Sequence, residues 1–459
     1  MNIVIIGAGQ VGSSLATSLA TEDNDVVIID NDPERLRYLR EKLDIDTFQG
    51  NAAHPDVLEN ANVMNADMMI AVTSSDEVNM IACQVAYQLF RTPTKIARVR
   101  AVSYLNHQEL FSREAIPVDV LISPERLITE QVYRLIANPG ALQVLNFAEG
   151  RVQLVSLKAQ LGGKLIDHQI RDFAEHVPDL EVRVIAIFRK GKAILPNGDT
   201  VIEVDDEVFV VASAQHIRVV MSELSIVEKP YKRIMIAGGG NVGSTLASMI
   251  ENERYQVKII EKNSDAAGVL AEQLNRTLVL EGDAADEHLL LEEDIGNMDV
   301  FCALTNDDEA NILSAMLAKR LGARKVMALV NRPSYVDLVE SGIIDMAISP
   351  QQITLSGLLA HVRQGDIVSV HSLRKGAAEV LEVVAHGDEK TSRVVGRSLK
   401  KLKLPPGSTV CAVVKGKEVV LPNNNSVVIE ENDHVILFLS DKRYIPAIEK
   451  MFQVGMAYI

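Results

Sequence analysis

The chain has 459 residues, of which 47% are hydrophobic, and a formal net charge of −16. This acidic charge argues against recognition of a nucleic-acid backbone and against adsorption to anionic lipid, whereas the hydrophobic content is enough for several cores. The sequence has no apolar run of the roughly 18 residues that a membrane span needs and no signal-peptide pattern, so we expect a soluble, cytosolic protein. The three cysteines, Cys83, Cys302 and Cys411, are too widely spaced to suggest a disulfide framework or a metal site.

A glycine-rich motif follows the first predicted strand, Ile3–Ile6. A helix-like segment begins within this motif, which consists of Gly7, Ala8, Gly9, Gln10, Val11 and Gly12. The next apolar run ends at Asp30, at the spacing of about 20 residues that is typical of a dinucleotide-binding acid. The glycines let the backbone approach a pyrophosphate, and the free N–H groups at the helix start attract it. Because Asp30 would accept hydrogen bonds from a ribose diol and repel a 2′-phosphate, the motif favours NAD or an adenine nucleotide over NADP.

The rest of this first region alternates between strand-like and helix-like patterns. In chain order, its features are a turn at Gly50–Ala52, a strand end at Ala71–Glu77, a helix over Asn79–Phe90, a strand at Ile96–Val99 and a closing Ser123-Pro124 pair. Strands that alternate with helices predict a parallel sheet of βαβ units. We therefore predict an α/β domain over residues 1–123, Rossmann-like and doubly wound.

Candidate ligand contacts lie where two predicted strands of this domain end. Thr73 and Ser74 follow the fourth strand, where hydroxyl groups can bond to phosphates or sugars. They are comparably suited to cap the next helix, and the two roles are compatible. Arg98 and Arg100 lie at the end of the fifth strand, where guanidinium groups can pair with phosphates. An ion pair with a nearby acid is the alternative for Arg98.

A different segment follows over residues 140–225. Short β-rich runs flank a Lys190-Gly191-Lys192 turn, which predicts a small α+β domain. A further strand begins after Asp205-Asp206, which we interpret as solvated turn residues. Proline and charge then interrupt the apolar pattern at Glu228–Tyr231, and this stretch is interpreted as a linker.

The glycine motif occurs a second time, and its acid, Glu261, lies 231 positions after Asp30. Thr305 occupies the position of Thr73. A fingerprint that recurs in register with its acid is far more specific than one glycine motif, and it indicates two nucleotide-binding units made by duplication. For each unit the alternative is a Rossmann-like domain that has lost its ligand. The glycines of the second motif are Gly238, Gly239 and Gly240.

The repeat covers the whole chain, although the two copies differ at one position of interest. We predict a second Rossmann-like domain over residues 232–350 and a second small α+β domain over residues 366–453, in a tandem A-B-A′-B′ order. Glu430-Glu431 is again interpreted as a solvated turn. Leu329 and Asn331 stand where the first copy has its two arginines. Because only the first copy offers guanidinium groups at this edge, we expect two non-equivalent sites.

No catalytic constellation accompanies the glycine motifs. A dehydrogenase needs a general acid or base near the nicotinamide, and the smaller domains offer no concentrated group of His, Cys or Lys residues. We therefore expect no catalytic residue, no metal and no enzymatic activity. Two other functions stay open from the residues alone: an NAD-dependent oxidoreductase with duplicated domains, and a nucleotide-sensing scaffold without a membrane partner.

The double fingerprint, the Gly282-Asp283-Ala284 and Thr-x-x-Asp-Glu elements and the two β-rich domains resemble the RCK family (regulator of potassium conductance, or KTN) over essentially the whole chain. The resemblance implies that the large domains bind NAD(H), ATP or ADP as regulatory ligands. It implies a homo-oligomeric ring, for which two large domains per chain fit a tetramer. It also implies that the ring docks on the cytoplasmic face of a potassium-conducting membrane protein and changes its gating.

The resemblance also assigns ligand contacts. The family pattern is interrupted at Asn51, where the family often has aspartate, and at Leu329, where an arginine is missing. A nucleotide that fits one ring conformation better than another would shift the population toward it. By resemblance, the contacts are Gly7, Ala8, Gly9, Gln10, Val11, Asp30, Thr73, Ser74, Arg98, Gly238, Gly239, Gly240, Glu261 and Thr305.

Overall fold

The structure, a computed structural model, describes residues 1–22, 24–172, 182–224, 229–340, 342–362, 367–374, 377–422 and 426–454. It divides into two compact units. The first comprises Met1–Leu127 with Gln351–Gln364, and the second comprises Ile128–Pro350 with Gly365–Ile459. The described residues form two parallel and two antiparallel sheets, and the predicted fold class is confirmed.

The first parallel sheet has the strand order β3-β2-β1-β4-β5-β6. Apolar and β-branched residues fill the central strands because helices cover both faces of such a sheet. The strand order reverses between β1 and β4, and ligands bind at the carboxyl ends of strands at such a switch point. The strands are β1 (Asn2–Ile6), β2 (Asp25–Asp30), β3 (Asp46–Gln49), β4 (Met68–Ala71), β5 (Thr94–Arg98) and β6 (Val120–Ile122).

Local capping signals explain where some of the connecting helices begin. Asp32 accepts hydrogen bonds from the N–H groups of Glu34 and Arg35, and Pro33 occupies the first helical position, where its missing N–H costs nothing. The predicted helix over Asn79–Phe90 begins earlier, at Asp76, and ends in a π-turn. The helices are α1 (Gln10–Ala20), α2 (Pro33–Lys42), α3 (Pro55–Asn60), α4 (Asp76–Val85), α5 (Val102–Leu105) and α6 (Pro124–Ala137).

The first small domain is an antiparallel sheet in the order β10-β9-β11-β8-β7, followed by one helix. The predicted Lys-Gly-Lys turn joins β9 to β10, and Lys190 and Gly191 both have positive φ, as a tight hairpin turn requires. The elements are β7 (Ala141–Phe147), β8 (Val152–Lys158), β9 (Val182–Arg189), β10 (Lys192–Ile194), β11 (Glu207–Ser213) and α7 (Ile217–Leu224).

The second large domain repeats the parallel sheet as β14-β13-β12-β15-β16-β17. The predicted linker before it lies partly outside the described residues, but its last residue, Tyr231, is buried. The strands are β12 (Arg233–Ala237), β13 (Gln256–Glu261), β14 (Leu278–Glu281), β15 (Val300–Ala303), β16 (Lys325–Leu329) and β17 (Met346–Ile348). The helices are α8 (Asn241–Ile250), α9 (Ser264–Gln273), α10 (Glu287–Glu292), α11 (Asp308–Arg320), α12 (Pro333–Glu340) and α13 (Pro350–Val362).

The second small domain has the sheet order β18-β19-β22-β20-β21, the same order as in the first. Within the described part of the chain, no helix combines the length and the hydropathy needed to span a bilayer. The elements are β18 (Ile367–Leu373), β19 (Ala378–Val384), β20 (Ser408–Lys415), β21 (Glu418–Val420), β22 (His434–Leu439) and α14 (Ile445–Phe452).

Helices α6 and α13 lie beside the helices that follow the glycine motifs. The Thr129 hydroxyl on α6 donates to the Val242 carbonyl on α8 at 3.5 Å. From Gln351 onward, α13 belongs to the first unit, and the Gln351 side-chain amide donates to the Gln10 carbonyl of α1 at 3.3 Å. The predicted domain boundaries leave both helices unassigned.

The two small domains of the chain share a core. The Arg183 guanidinium of the first donates to the carbonyl oxygens of Val410 and Pro422 in the second, at 2.8 and 2.9 Å. The two antiparallel sheets of one chain therefore pack against each other. Their common hydrophobic cluster includes Phe147, Phe188, Phe209 and Phe438.

One expectation for the small domains is wrong. Asp206 is not solvated but 1% exposed. Its two carboxylate oxygens accept hydrogen bonds from Nε and an Nη of Arg189 at 2.9 and 2.8 Å. A bidentate pair of this kind satisfies a carboxylate away from water. Asp433 of the second small domain is also buried and lies 3.2 Å from Lys415 Nζ. The exposed acids are, as predicted, Asp205, Glu430 and Glu431.

Candidate nucleotide sites

The first and the third glycine of each GxGxxG motif are fixed by close packing. Gly7 has a φ of +104°, and a Cβ at this position would lie 3.1 Å from the backbone of Thr73. A Cβ at Gly12 would lie 1.8 Å from the Gly7 carbonyl oxygen, so α1 packs on the turn only because Gly12 has no side chain. Gly238, with a φ of +102°, and Gly243, whose Cβ would lie 2.0 Å from the Gly238 oxygen, repeat this arrangement.

The middle of each turn faces open space. A Cβ on Gly9 or on Gly240 would meet no described atom within 4 Å. These glycines are the N-cap residues of α1 and α8, and neither helix has a side-chain cap in the described structure. Gln10 and Val11 begin α1, where N–H groups lack partners within the helix. The start of α1 can therefore receive a pyrophosphate in front of Gly9.

The two acids lie across the turns. Asp30 Oδ2 accepts a hydrogen bond from the Ala8 N–H at 2.5 Å, and Glu261 Oε2 accepts one from the Gly239 N–H at 2.7 Å. A Cβ on Gly239 would lie 2.2 Å from Leu270 Cδ1 and 3.0 Å from Glu261 Oε2, so both neighbours occupy the space that a side chain would need. Carboxylate oxygens accept more than one hydrogen bond, which leaves both acids able to receive a ribose diol.

Thr73 and Thr305 hold the ends of β4 and β15. The N–H and the hydroxyl of Thr73 donate to Asn79 Oδ1 at 3.0 and 2.7 Å, and Thr305 makes the same bonds to Asn311 at 2.9 and 2.7 Å. The Asn79 amide also donates to the Arg98 carbonyl at 2.9 Å, which ties β4 to β5. Both asparagines are fully buried, and their role was not predicted from the sequence. Their only signal is an Asn six residues after each Thr.

The helix-capping role that the sequence also suggested for Thr73 and Ser74 is filled by Ser75, and in the second domain by Asp307. Ser75 Oγ accepts from a backbone N–H in the first turn of α4 at 3.2 Å, and Asp307 does the same for α11 at 2.7 Å. Thr73 and Thr305 therefore shape the turn without capping the helix. Ser74 is exposed beside them, and its carbonyl accepts from the Arg100 guanidinium.

Arg98 and Arg100 form a basic rim at the end of β5. Asp76 is buried beneath it, where its Oδ2 accepts from the Arg100 N–H at 2.9 Å. Arg98 Nε is buried without a hydrogen-bond partner among the described residues. Burial, and then the charge of Arg100, lower the pKa of Arg98, and burial raises the pKa of nearby Glu125. Two adjacent guanidinium groups with an unsatisfied N–H are suited to a phosphate.

The second site has a different rim. Leu329, which takes the place of Arg98, is buried, and the Asn331 side chain donates to Asp308 Oδ1 at 2.9 Å. The next residue, Arg332, has its guanidinium 2.8 Å from Glu309 Oε1 and is already paired. The two sites thus differ in charge at this rim, as expected from the sequence.

The departure from the family pattern at Asn51 leaves the local turn intact. Asn51 Oδ1 accepts from the Ala53 N–H at 3.0 Å, as Asp283 Oδ1 accepts from the Ala285 N–H at 2.9 Å. Asp283 differs in its partner, because Lys262 Nζ lies 2.8 Å from its other oxygen and lowers the pKa of Asp283. The amide therefore replaces the carboxylate in holding the turn but not in pairing with a cation.

The three cysteines are free and fully buried. Burial raises the pKa of each thiol to about 12, so they stay protonated near neutral pH. In the part of the chain that the structure describes, no group of His, Cys, Asp and Glu residues is arranged to hold a metal ion. The three thiols are those of Cys83, Cys302 and Cys411.

Two protein-family models each match the chain twice. The TrkA-N domain matches residues 3–124 and 234–350, and the TrkA-C domain matches residues 154–225 and 388–453. The matches alternate along the chain in the same A-B-A′-B′ order as the repeat.

Proteins of known name match the chain over its whole length. The Trk system potassium uptake protein TrkA of Halomonas elongata is 55% identical over 458 residues, which cover 100% of both chains. That of Vibrio alginolyticus is 56% identical over 99% of both chains, and that of Haemophilus influenzae is 50% identical over 100% of both.

Solved structures share the fold. The crystal structure of the GsuK RCK domain matches with a TM-score of 0.60 and 17% identity, over 98% of this chain and 94% of that chain. The GsuK channel bound to NAD matches with the same TM-score and identity, over 98% of this chain and 78% of that chain. The paired domain matches and the full-length identities together show that the chain belongs to the TrkA family of Trk system potassium uptake proteins.

Proposed function

We propose that the chain is a nucleotide-sensing regulatory subunit that gates a potassium-uptake membrane protein of the Trk type. The observation that carries the proposal is the pair of open glycine turns, each with its acid in place, in a chain related over its full length to TrkA proteins. The chain docks on the cytoplasmic face of its membrane partner and catalyses no reaction.

The ligands are NAD(H), ATP or ADP, and the two sites receive them differently. A polyphosphate can lie between the first glycine turn and the basic rim, whereas the second site offers the turn and Glu261 without a free guanidinium in the described structure. The GsuK channel, which has the same fold, has been solved with NAD bound, and this supports NAD as a probe. The contact residues are those that the family resemblance assigns.

Regulation then follows from linkage. A nucleotide changes the equilibrium between two ring conformations only by the difference between its affinities for them. Typical couplings are about 1–3 kcal/mol, so a modest difference between ATP and ADP or NAD is enough. The hydrogen bonds of Asn79 support such coupling, because they join Thr73, at the end of β4 that would contact the ligand, to Arg98 at the end of β5.

The assembly that we propose is a tetrameric ring. Closed symmetric rings are the usual result of repeated self-complementary surfaces, and four chains would bring eight large domains together. Light scattering of the purified chain should give about four times its mass of 50.3 kDa. A monomer near 50.3 kDa, with and without nucleotide, would contradict the ring.

The functional test is potassium uptake. Deleting the chain from its host should reduce growth at limiting potassium, because the membrane partner would lose its regulatory subunit. Restoring the wild-type chain should restore growth, and adding it with ATP should change the current through the partner. Unchanged uptake in the deletion strain, together with NADH turnover on a small substrate, would favour the oxidoreductase instead.

A further inference from the structure

The second small domain has a basic segment on its surface. Between residues 390 and 403 there are six basic side chains and no acidic one, in a chain whose net charge is −16. All six side chains are exposed. We call residues 390–403 the basic segment, and its cations are Lys390, Arg393, Arg397, Lys400, Lys401 and Lys403.

The basic segment is held firmly on the domain. The Gly396 N–H donates to the Ile429 carbonyl at 2.8 Å, and the Leu399 N–H donates to the Val427 carbonyl at 2.9 Å. Its apolar side chains point into the domain, so the positive charges are presented on a fixed backbone. The buried side chains are Val394, Val395 and Leu399.

The first small domain contains the same turn. Asp167 has a φ of +64° where Gly396 has a φ of +76°, and Gln169 and Ser398 form matching isolated antiparallel bridges. The repeat therefore supplies an internal comparison, in which one backbone conformation is built with two sets of charges.

In the first small domain the charges of this turn are neutralised. Lys164 Nζ lies 2.7 Å from Glu223 Oε1, and the Arg171 guanidinium pairs with Asp199. These cations match Arg393 and Lys400 of the basic segment. The turn thus forms without any free positive charge, and the fold does not require the charge of the second copy.

In the second small domain the matching acids are missing. Met451 and Ser426 stand where the first domain has Glu223 and Asp199. Within the described residues, none of the six cations forms a salt bridge, not even with Asp388 or Glu389 just before them. Lys390 interacts electrostatically with Asp388, but the other five cations have no such partner among the described residues. Exposed cations without a salt bridge on an acidic protein indicate an anion outside the chain.

We infer that the basic segment binds anionic phospholipid headgroups. Clusters of four to eight Lys and Arg residues are typical of contacts with anionic lipid. The core of a protein interface is instead apolar and depleted of lysine, and here the apolar residues point inward. The segment also contains no aromatic side chain on which a nucleic-acid base could stack. The acidic charge of the chain as a whole opposes adsorption to anionic lipid, so binding is local to the basic segment and orients the chain with this segment toward the membrane.

Vesicle co-sedimentation tests the inference. The full chain is mixed with vesicles of phosphatidylglycerol and phosphatidylcholine in equal parts, or of phosphatidylcholine alone. Binding is expected to the anionic vesicles only and should weaken with added salt, because exposed charges are screened beyond about 10 Å at 0.1 M. The vesicles hold no transport protein and no nucleotide, so a failure here leaves the proposed function untouched.

A matched pair of variants locates the contact. K400Q/K401Q should weaken binding to anionic vesicles by roughly 10- to 30-fold, since each basic side chain near an anionic surface contributes about fivefold. K190Q/K192Q removes the same charge from the exposed hairpin turn of the first small domain and should bind like the wild type. Thermal unfolding of each variant checks that it folds.

Three results would overturn the inference. The first is that the wild type does not sediment with anionic vesicles. The second is that the two double variants lose binding equally, which would show that only the net charge of the chain matters. If K400Q/K401Q keeps vesicle binding but lowers the mass measured by light scattering, the basic segment contacts a second copy of the chain instead.

Discussion

Replacing Gly9 by valine is expected to abolish nucleotide binding at the first site. A Cβ at Gly9 would meet no described atom within 4 Å, so a side chain there would project into the space that we assign to the pyrophosphate. Loss of two or more charge-assisted hydrogen bonds to phosphate, each contributing about 1.5–3 kcal/mol, weakens binding by roughly 100-fold or more. Isothermal titration with NADH, ATP and ADP would measure the loss.

The folded state should tolerate this change. Gly9 has φ −70° and ψ −173°, an extended conformation that valine adopts readily, so the free energy of unfolding should change by less than about 1 kcal/mol. Gly12→Val is the contrasting variant, because its Cβ would collide with the Gly7 carbonyl and destabilise the domain. Gly240→Val is the matched change at the second site. If Gly9→Val folds and binds every nucleotide as the wild type does, the first site is misplaced.

The parts of the site that depend on neighbouring residues could be predicted from the sequence. The glycine turn and its acid are linked by a fixed geometry of strand, turn and helix, so their spacing identifies them. The bonds from the Ala8 N–H to Asp30 and from the Gly239 N–H to Glu261 follow from the same geometry, which places each acid beside its turn.

The parts that depend on distant residues could not be predicted. The Asn79 amide bonds to the carbonyl of Arg98, and any residue at position 98 would supply that carbonyl. Asp206 looks like other turn acids until Arg189, from a neighbouring strand, buries it. Likewise, the pattern of α13 shows that it is a helix but not that it belongs to the unit of Met1–Leu127.

For the same reason, the charge difference between the two rims could be predicted from the sequence, but the hydrogen bonding of their arginines could not. The difference between Arg98 and Leu329 follows from aligning the two copies. The hydrogen bonding of the two arginines depends on packing. Arg98 Nε is buried without a partner among the described residues, whereas Arg332 is paired with Glu309. The structure therefore adds a reason for the two sites to differ: of the two rims, as far as the described residues show, the first alone has a buried guanidinium N–H without a hydrogen-bond partner.

Arg98→Ala should therefore weaken ATP binding at the first site by roughly 10- to 100-fold, the effect of one hydrogen-bonded charge of about 1.5–3 kcal/mol. NADH should lose less, because its two phosphates can be held by the glycine turn alone. Arg98→Lys keeps the charge without the planar fork and should fall between alanine and the wild type. Arg332→Ala is the matched control, since its guanidinium is already paired with Glu309. Titration of all three variants with ATP and NADH decides the matter. Equal losses of ATP affinity in Arg98→Ala and Glu261→Ala would contradict the assignment. In that case the basic rim of the first site would contribute no more to ATP binding than Glu261 of the second site does, and it would not be the contact for the polyphosphate.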